Sequence, residues 1–137
     1  QTVQNIDIKC INAGAWCEST TLLFDASGNR NAGIVLKGNI VSKIKEVPVV
    51  SVDEVLDGAC VDYIKYDVEG SEKEALIGSA QTIKTHAPKL LVSLYHRSED
   101  LFALPELVKK INPDYSLYLR RFPYIPAWDL NLYAIKK

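Results

Sequence analysis

Alternating apolar and polar positions predict strands in both halves of the chain. The alternation runs from Ile6 to Ala13 and from Val61 to Asp67, with the period of two that a half-buried strand requires. Thr20 to Phe24 and Ala32 to Leu36 enclose a polar loop with glycine and asparagine, which adopt positive φ in turns. We therefore expect these two runs to form a hairpin.

The segment after the second alternating run has the features of a helix followed by a buried strand. Ser71 and Glu74 fit a capping box, in which both side chains bind free amides at the start of a helix. Gly78 predicts a bend in this helix, and Pro88 predicts its end. The apolar run from Leu90 to Tyr95 is typical of a central parallel strand, so the sequence predicts a βαβ unit.

The last third of the chain predicts helices and then two strands. Ser98 to Ile111 has helical character, and we expect two short helices there because Pro105 is best tolerated in the first turn of a helix. Tyr115 to Phe122 and Asp129 to Ile135 alternate again and predict a closing antiparallel pair. Together the elements indicate an α/β fold.

Composition narrows the class of protein. The 137 residues are 47% apolar and 24% charged, which predicts a single domain over residues 1–137. The net charge of −1 comes from intermixed acidic and basic residues, so we expect no nucleic acid partner. We expect no membrane span either, since no apolar run approaches the required length of about 18 residues. Three cysteines without C-x-x-C spacing favour a reducing, cytoplasmic location.

Two carboxylates follow a predicted strand and are the first candidates for chemistry. Asp67 and Glu69 are separated by one residue, so both would point to one face if the strand continued through them. Such a pair can hold a divalent cation, orient a ligand hydroxyl group or accept a proton. Alternatively, the pair caps the following helix, whose dipole favours negative charge at its start. The spacing leaves both interpretations open.

His96 and Arg97 follow the next predicted strand directly. In a parallel sheet they emerge at the same edge as Asp67, which makes them the second candidates for a site. A structural role is the alternative for a single histidine. A metal site formed by Asp67, Glu69 and His96 is a third and less favoured interpretation.

A loop rich in aromatic residues separates the last two predicted strands. Tyr124 and Trp128 in this loop either lie over a ligand or cover the core of the protein itself. The chain lacks G-x-G-x-x-G, Walker-type, G-x-S-x-G and H-E-x-x-H motifs. The usual machinery for hydride transfer, phosphoryl transfer and serine hydrolysis is therefore not indicated.

The segment from Ile64 to Glu72, followed by Leu76 to Gly78, resembles the signature of FkbM-type methyltransferases. The stretch from Ala13 to Trp16 resembles the strand before that signature, and the chain after Pro88 resembles the family's C-terminal half. The resemblance implies a class I methyltransferase fold, with a Rossmann-like, mostly parallel sheet and a C-terminal antiparallel pair.

The same resemblance implies transfer of a methyl group from S-adenosylmethionine to a hydroxyl group of a sugar, a glycan or a secondary metabolite. Ala15 and Trp16 would lie beside the adenine of this cofactor, and Asp67 would face the methyl donor. By resemblance, these three residues are what remains of the cofactor pocket in this chain, and we expect half a pocket to bind the cofactor weakly.

Roles for the other candidates follow from this implied reaction. His96 is the preferred general base, and Glu69 is the orienting or capping carboxylate. Arg97, Tyr124 and Trp128 are expected to bind the small-molecule or glycan acceptor. No metal is assigned to this set.

The chain departs from the family at its beginning. The glycine-rich cofactor loop and the acidic residue that binds the ribose should precede Gln1, so we expect that an N-terminal portion and the first strands are missing. The alternative to an enzyme is thus an inactive, methyltransferase-like binding or assembly module. Loss of the first strands would expose a sheet edge, through which we expect a possible homo-oligomer.

Overall fold

The computed structural model of the chain describes residues 7–25, 44–121 and 129–137. In chain order, the elements within these ranges are β1 (Gly14–Ala15), β2 (Thr20–Asp25), β3 (Ile44–Val50), α1 (Val52–Leu56), β4 (Tyr63–Tyr66), α2 (Glu72–Ile77), α3 (Ala80–His86), β5 (Lys89–Ser93), α4 (Asp100–Ile111), β6 (Tyr115–Arg121) and β7 (Leu130–Lys136). They form a mixed α/β fold with two sheets.

A small sheet is built from the N-terminal part of the chain in the order β1-β3-β2. β1 runs parallel to β3, whereas β2 runs antiparallel to it, with Thr20 opposite Val49. The strand predicted from Thr20 is therefore confirmed, and its partner is β3. The predicted partner, Ala32 to Leu36, lies outside the described residues.

The strand predicted from Ile6 to Ala13 is wrong for the part that the structure describes. Residues 7–13 lie outside any strand, and the side chain of Ile8 is 73% exposed. An alternating pattern gives a stable strand only where a neighbouring strand accepts the backbone hydrogen bonds and another layer covers the apolar face. The described strand starts one residue later, at Gly14.

A four-stranded sheet has the order β4-β5-β7-β6. β4 and β5 are parallel and are connected through α2 and α3, which confirms the predicted βαβ unit. β7 runs antiparallel to both β5 and β6, which confirms the closing antiparallel pair. The parallel pairings among the described strands are β1 with β3 and β4 with β5.

Two predictions about helices are wrong. Ser71 makes no side-chain hydrogen bond at the start of α2, so the predicted capping box does not form. Instead, Glu72 Oε1 accepts from the Val68 amide at 2.9 Å. The second error concerns α4, which is one continuous helix with Pro105 inside it. The predicted bend at Gly78 is confirmed, because α2 ends there and α3 starts two residues later.

The hydrophobic core joins the four-stranded sheet to α2, α3 and α4. Its largest fully buried side chains include Tyr66 of β4 and Tyr115 of β6. Tyr66 Oη donates to Ser79 Oγ at 2.6 Å, so the buried hydroxyl group has a partner. Burial raises the pKa of Tyr115 to about 12. This core fixes the ends of β4 and β5, where the candidate site lies.

Candidate active site

The carboxyl ends of β4 and β5 bring three carboxylates and one histidine together. The two strands are parallel and in register, with Tyr66 opposite Val92, so the loops that follow them emerge at one edge of the sheet. The loop after β4 and the first residue of α2 supply the carboxylates, and the loop after β5 supplies the histidine. We call this group the acidic cluster; it consists of Asp67, Glu69, Glu72 and His96.

A buried carboxylate holds one side of the His96 ring. Glu72 Oε1 lies 2.7 Å from His96 Nδ1, and the Glu72 side chain is fully buried. The His96 side chain is 12% exposed, and its ring also lies against that of Tyr95 with 4.3 Å between centroids. The imidazole is therefore fixed by contacts on its edge and its face.

The other ring nitrogen of His96 faces the two predicted carboxylates. Nε2 lies 3.7 Å from Asp67 Oδ1 and 3.5 Å from Glu69 Oε2. The sequence placed His96 at the same edge as Asp67, and the structure brings the two residues together. Glu69 is far more exposed than Asp67, with 86% of its side chain accessible. Nε2 thus points towards the accessible side of the cluster.

Asp67 is held by three hydrogen-bond donors. Oδ1 accepts from Ser93 Oγ at 3.0 Å and from Tyr95 Oη at 2.9 Å, while Oδ2 accepts from Lys65 Nζ at 3.0 Å. Partial burial alone would raise the pKa of Asp67, but the hydrogen bonds from Lys65, Tyr95 and Ser93 outweigh it and hold the pKa below its ordinary value. Asp67 is therefore an ionised, immobilised carboxylate at neutral pH.

The turn after Asp67 depends on a close approach by Arg97. Glu69 and Gly70 both have positive φ, of 54° and 92°. A Cβ atom at Gly70 would lie 3.1 Å from Arg97 Nε, so the Arg97 side chain lies against this turn. The Arg97 amide in turn donates to buried Asp100 Oδ2 at 3.2 Å. Arg97 therefore links the turn that presents Glu69 to the start of α4.

A largely apolar cavity of about 450 Å³ adjoins the cluster. Ala15, Trp16 and Glu69 are among its lining residues, together with Val68 and Ser71 from the same loop. The remaining described lining residues are Ala13, Gly14, Leu22, Phe24, Val47 and Val49. Its volume is within the range that accommodates small ligands. Asp67 is not among its described lining residues, whereas Glu69 belongs to both the cavity and the acidic cluster.

The sequence interpretation missed Glu72. Its position beside the predicted capping serine suggested an ordinary residue of the first helical turn, and only the fold brings it to a histidine 24 residues away. The signal that was available is its place inside the acidic signature after β4. The predicted substrate residues Tyr124 and Trp128 lie outside the described residues.

A metal ion has possible ligands in the same place. One ligand atom each from Asp67, Glu72 and His96 lies within 4.8 Å of the others. This set differs from the predicted one by containing Glu72 in place of Glu69. Asp67 already accepts from Lys65, Ser93 and Tyr95, and Glu72 Oε1 lies 2.7 Å from His96 Nδ1, so an ion at this place would have to compete with these contacts.

Comparisons with known proteins agree with the resemblance of the signature segment. The profile of the methyltransferase FkbM domain matches residues 4–123. The structure resembles the crystal structure of methyltransferase FkbM from Methylobacillus flagellatus KT, with a TM-score of 0.65 and 32% sequence identity. The match covers 89% of this chain but 27% of that protein, so the chain spans about a quarter of its length. No curated protein matches the chain.

The helices provide one more general observation. Within residues 7–25, 44–121 and 129–137, no helix is long and apolar enough to cross a membrane.

The profile match extends over most of the chain and includes every member of the acidic cluster. The chain belongs to the FkbM methyltransferase family.

Proposed function

We propose that this chain forms part of an S-adenosylmethionine-dependent O-methyltransferase, with His96 as the general base. The observation that carries the proposal is the acidic cluster at the end of β4 and β5, in which His96 Nε2 lies 3.5 Å from Glu69 beside an apolar cavity. A hydroxyl group that attacks a sulfonium methyl group must lose its proton, and a fixed imidazole is suited to accept it.

The cavity fits the cofactor that the family implies. Its apolar wall suits one face of an adenine ring, and the carboxylate of Glu69 at its edge suits a hydrogen-bond donor of the ligand. Ala15 and Trp16 would flank the adenine, and S-adenosylmethionine would supply the methyl group. Asp67 would face the methyl donor from its place beside His96, next to the described lining of the cavity rather than within it.

The acceptor in this proposal carries a hydroxyl group and belongs to a sugar, a glycan or a secondary metabolite. Arg97 supports this assignment because its exposed side chain lies at the turn that presents Glu69. Its guanidinium group can donate several hydrogen bonds to acceptor oxygens in a fixed geometry. Tyr124 and Trp128 are proposed as further acceptor contacts.

We further propose that residues 1–137 form one Rossmann-like domain whose sheet is completed next to β4. β4 is an edge strand of the described four-stranded sheet, and its Tyr63 side chain is 50% exposed. An uncovered edge of this kind recruits another strand, either from the same protein or from a second copy. Sedimentation analysis tests the second-copy case, which predicts dimers.

The three free cysteines support a reducing, cytoplasmic location.

Isothermal titration with S-adenosylmethionine tests the cofactor assignment. In the complete protein we expect binding that weakens at least tenfold on Trp16→Ala substitution, because the variant loses an aromatic wall of the cavity. Phe102→Ala is the matched control, since Phe102 is 75% exposed on α4 and is not among the described lining residues. Absence of binding to the complete protein would instead favour an inactive binding or assembly module.

A further inference from the structure

The buried carboxylate behind His96 has an unusual environment. Glu72 is 1% exposed, and its Oε1 atom accepts both the Val68 amide and a contact from His96 Nδ1. Its Oε2 atom is buried and has no hydrogen-bond partner among the described residues. Burying a carboxylate is costly unless it is well hydrogen-bonded, so a fold that retains one here gains something from its presence.

The chemistry of a carboxylate fixes the proton position on the adjacent ring. An ionised carboxylate only accepts hydrogen bonds, so a contact of 2.7 Å between Glu72 Oε1 and His96 Nδ1 requires the proton on Nδ1. The Val68 amide holds the same oxygen at 2.9 Å and prevents the carboxylate from turning away. In the neutral ring the lone pair is then on Nε2, which faces Asp67 and Glu69.

We propose that Glu72 is a positioning residue that holds neutral His96 in the Nδ1-protonated tautomer and directs the basic Nε2 atom towards the acceptor hydroxyl group. This inference rests on the proposed methyltransferase function for its catalytic consequence. With S-adenosylmethionine bound, the acceptor oxygen would form a bond to the methyl carbon while the methyl–sulfur bond breaks and leaves a neutral thioether. The acceptor proton would move to Nε2, and the Glu72 carboxylate on the opposite side of the ring would stabilise the resulting imidazolium.

The geometry also distinguishes this role from ordinary helix capping. A carboxylate that only caps α2 would accept from amides of the first helical turn, whereas Glu72 accepts from the amide of Val68, in the loop before the helix. The contact with His96 comes instead from the separate loop after β5, where the Tyr95 ring packs against the same imidazole at an interplanar angle of 53°. Glu72 therefore connects the loop after β4 to the loop after β5, and it contacts Nδ1, the ring nitrogen whose protonation defines the tautomer.

Ring-nitrogen NMR tests the proposal without any methyl donor or acceptor. The chain contains only two histidines, so His96→Gln assigns both sets of signals, with His86 as an internal reference. At a pH where both rings are neutral, we expect His96 to show a protonated Nδ1 and an unprotonated Nε2. Glu72→Leu removes the acceptor and should shift the proton towards Nε2, whereas Glu72→Gln keeps an acceptor oxygen and should restore the original tautomer.

Glu74→Leu is the matched control. Glu74 lies on α2 two positions from Glu72, a spacing that places the two side chains on different faces of the helix. This substitution should leave the His96 signals unchanged. Should Glu72→Leu fail to fold, the tautomer of the native protein and of Glu72→Gln still decides. An Nε2-protonated His96 in the native protein would overturn the proposal.

Enzyme kinetics separate this inference from the proposed function. In the complete enzyme, we expect Glu72→Leu to lower kcat by up to about 10⁴-fold, as loss of the carboxylate that orients a general-base imidazole does, with little change in KM. The expected tautomer without any methyl transfer would count against the proposed function alone. Methyl transfer by an enzyme whose His96 carries its proton on Nε2 would count against the role of Glu72 alone.

Discussion

The carbonyl group of Trp16 occupies the space that a Cβ atom would need at Gly78. Gly78 has a φ of −69°, which any residue adopts, so the contact and not the backbone conformation requires glycine there. The Gly78 carbonyl group also accepts from the Asp53 amide at 2.9 Å. The junction between α2 and α3 thus supports the cavity wall at Trp16.

Gly78→Ala should therefore destabilise the protein by about 3 kcal/mol, because a methyl group would force the two backbone segments apart. Denaturant unfolding followed by circular dichroism measures this loss. Gly58→Ala is the comparison, since Gly58 has a φ of 80° but no neighbouring atom within 4 Å of its Cβ position. Its cost should be about 1 kcal/mol, from backbone strain alone. Equal costs would contradict the packing explanation.

Asp53 stabilises the start of α3 from a distant part of the chain. Its carboxylate accepts from the amides of Gln81 and Thr82 at 3.0 and 2.8 Å. Asp53→Ala should lower the unfolding free energy by about 1 to 2 kcal/mol, the cost of losing a helix cap. Asp62→Ala is a suitable control because Asp62 is exposed and its recorded bond, to the Lys89 amide, uses only its backbone carbonyl. Amide hydrogen exchange tests the cap directly. If the Thr82 amide exchanges no faster in Asp53→Ala than in the native protein, Asp53 does not cap α3.

Local patterns predicted the elements whose stability comes from nearby residues or from a regular buried face. β2, β4, β5 and the pair of β6 and β7 follow the predicted periodicity, and Gly78 divides two helices as expected. Asp67 after β4 and His96 after β5 also lie close together, as expected for residues that follow neighbouring parallel strands. The position of the candidate site was therefore predictable from sequence.

Tertiary contacts decided the remaining features. α4 continues through Pro105 because Leu104, Val108 and Ile111 bury one face against the core, which offsets the hydrogen bond that proline cannot make. The role of Glu72 depends on a residue 24 positions away, and no local spacing contains that information. The sequence thus predicted where the candidate site lies but not the contact between Glu72 and His96.

The pKa of Asp67 predicts a change of stability in acid. Its pKa is below the ordinary value in the folded state, so its stabilising contribution is present above the unfolded-state pKa of about 3.9 and is lost as the pH falls through the folded-state pKa. Asp67→Asn should therefore be less stable than the native protein at pH 7, with the difference shrinking below about pH 4. Denaturant unfolding at several pH values measures this difference, and a constant difference across the range would refute the assignment.

Replacement of His96 tests its role as the base. His96→Gln should lower kcat by about 10²- to 10⁴-fold, the usual contribution of a general base, while KM changes little. His86→Gln is the control, because His86 ends α3 and is not among the described members of the site. The ring of His96 is largely buried, so circular dichroism must show that both variants fold. Unchanged turnover in folded His96→Gln would remove His96 as the base.

The donors around the acidic cluster also predict that turnover does not depend on a divalent ion. Asp67, Glu72 and His96 have ligand atoms within 4.8 Å of one another, which is compact enough for metal binding. However, an ion would have to compete with Lys65 for Asp67 and with the 2.7 Å contact that joins Glu72 to His96. We therefore expect dialysis against a chelator to leave kcat unchanged, and added Mn²⁺ to have no effect. Loss of activity on dialysis, restored by Mn²⁺, would contradict this prediction and would favour loss of the hydroxyl proton on metal coordination instead.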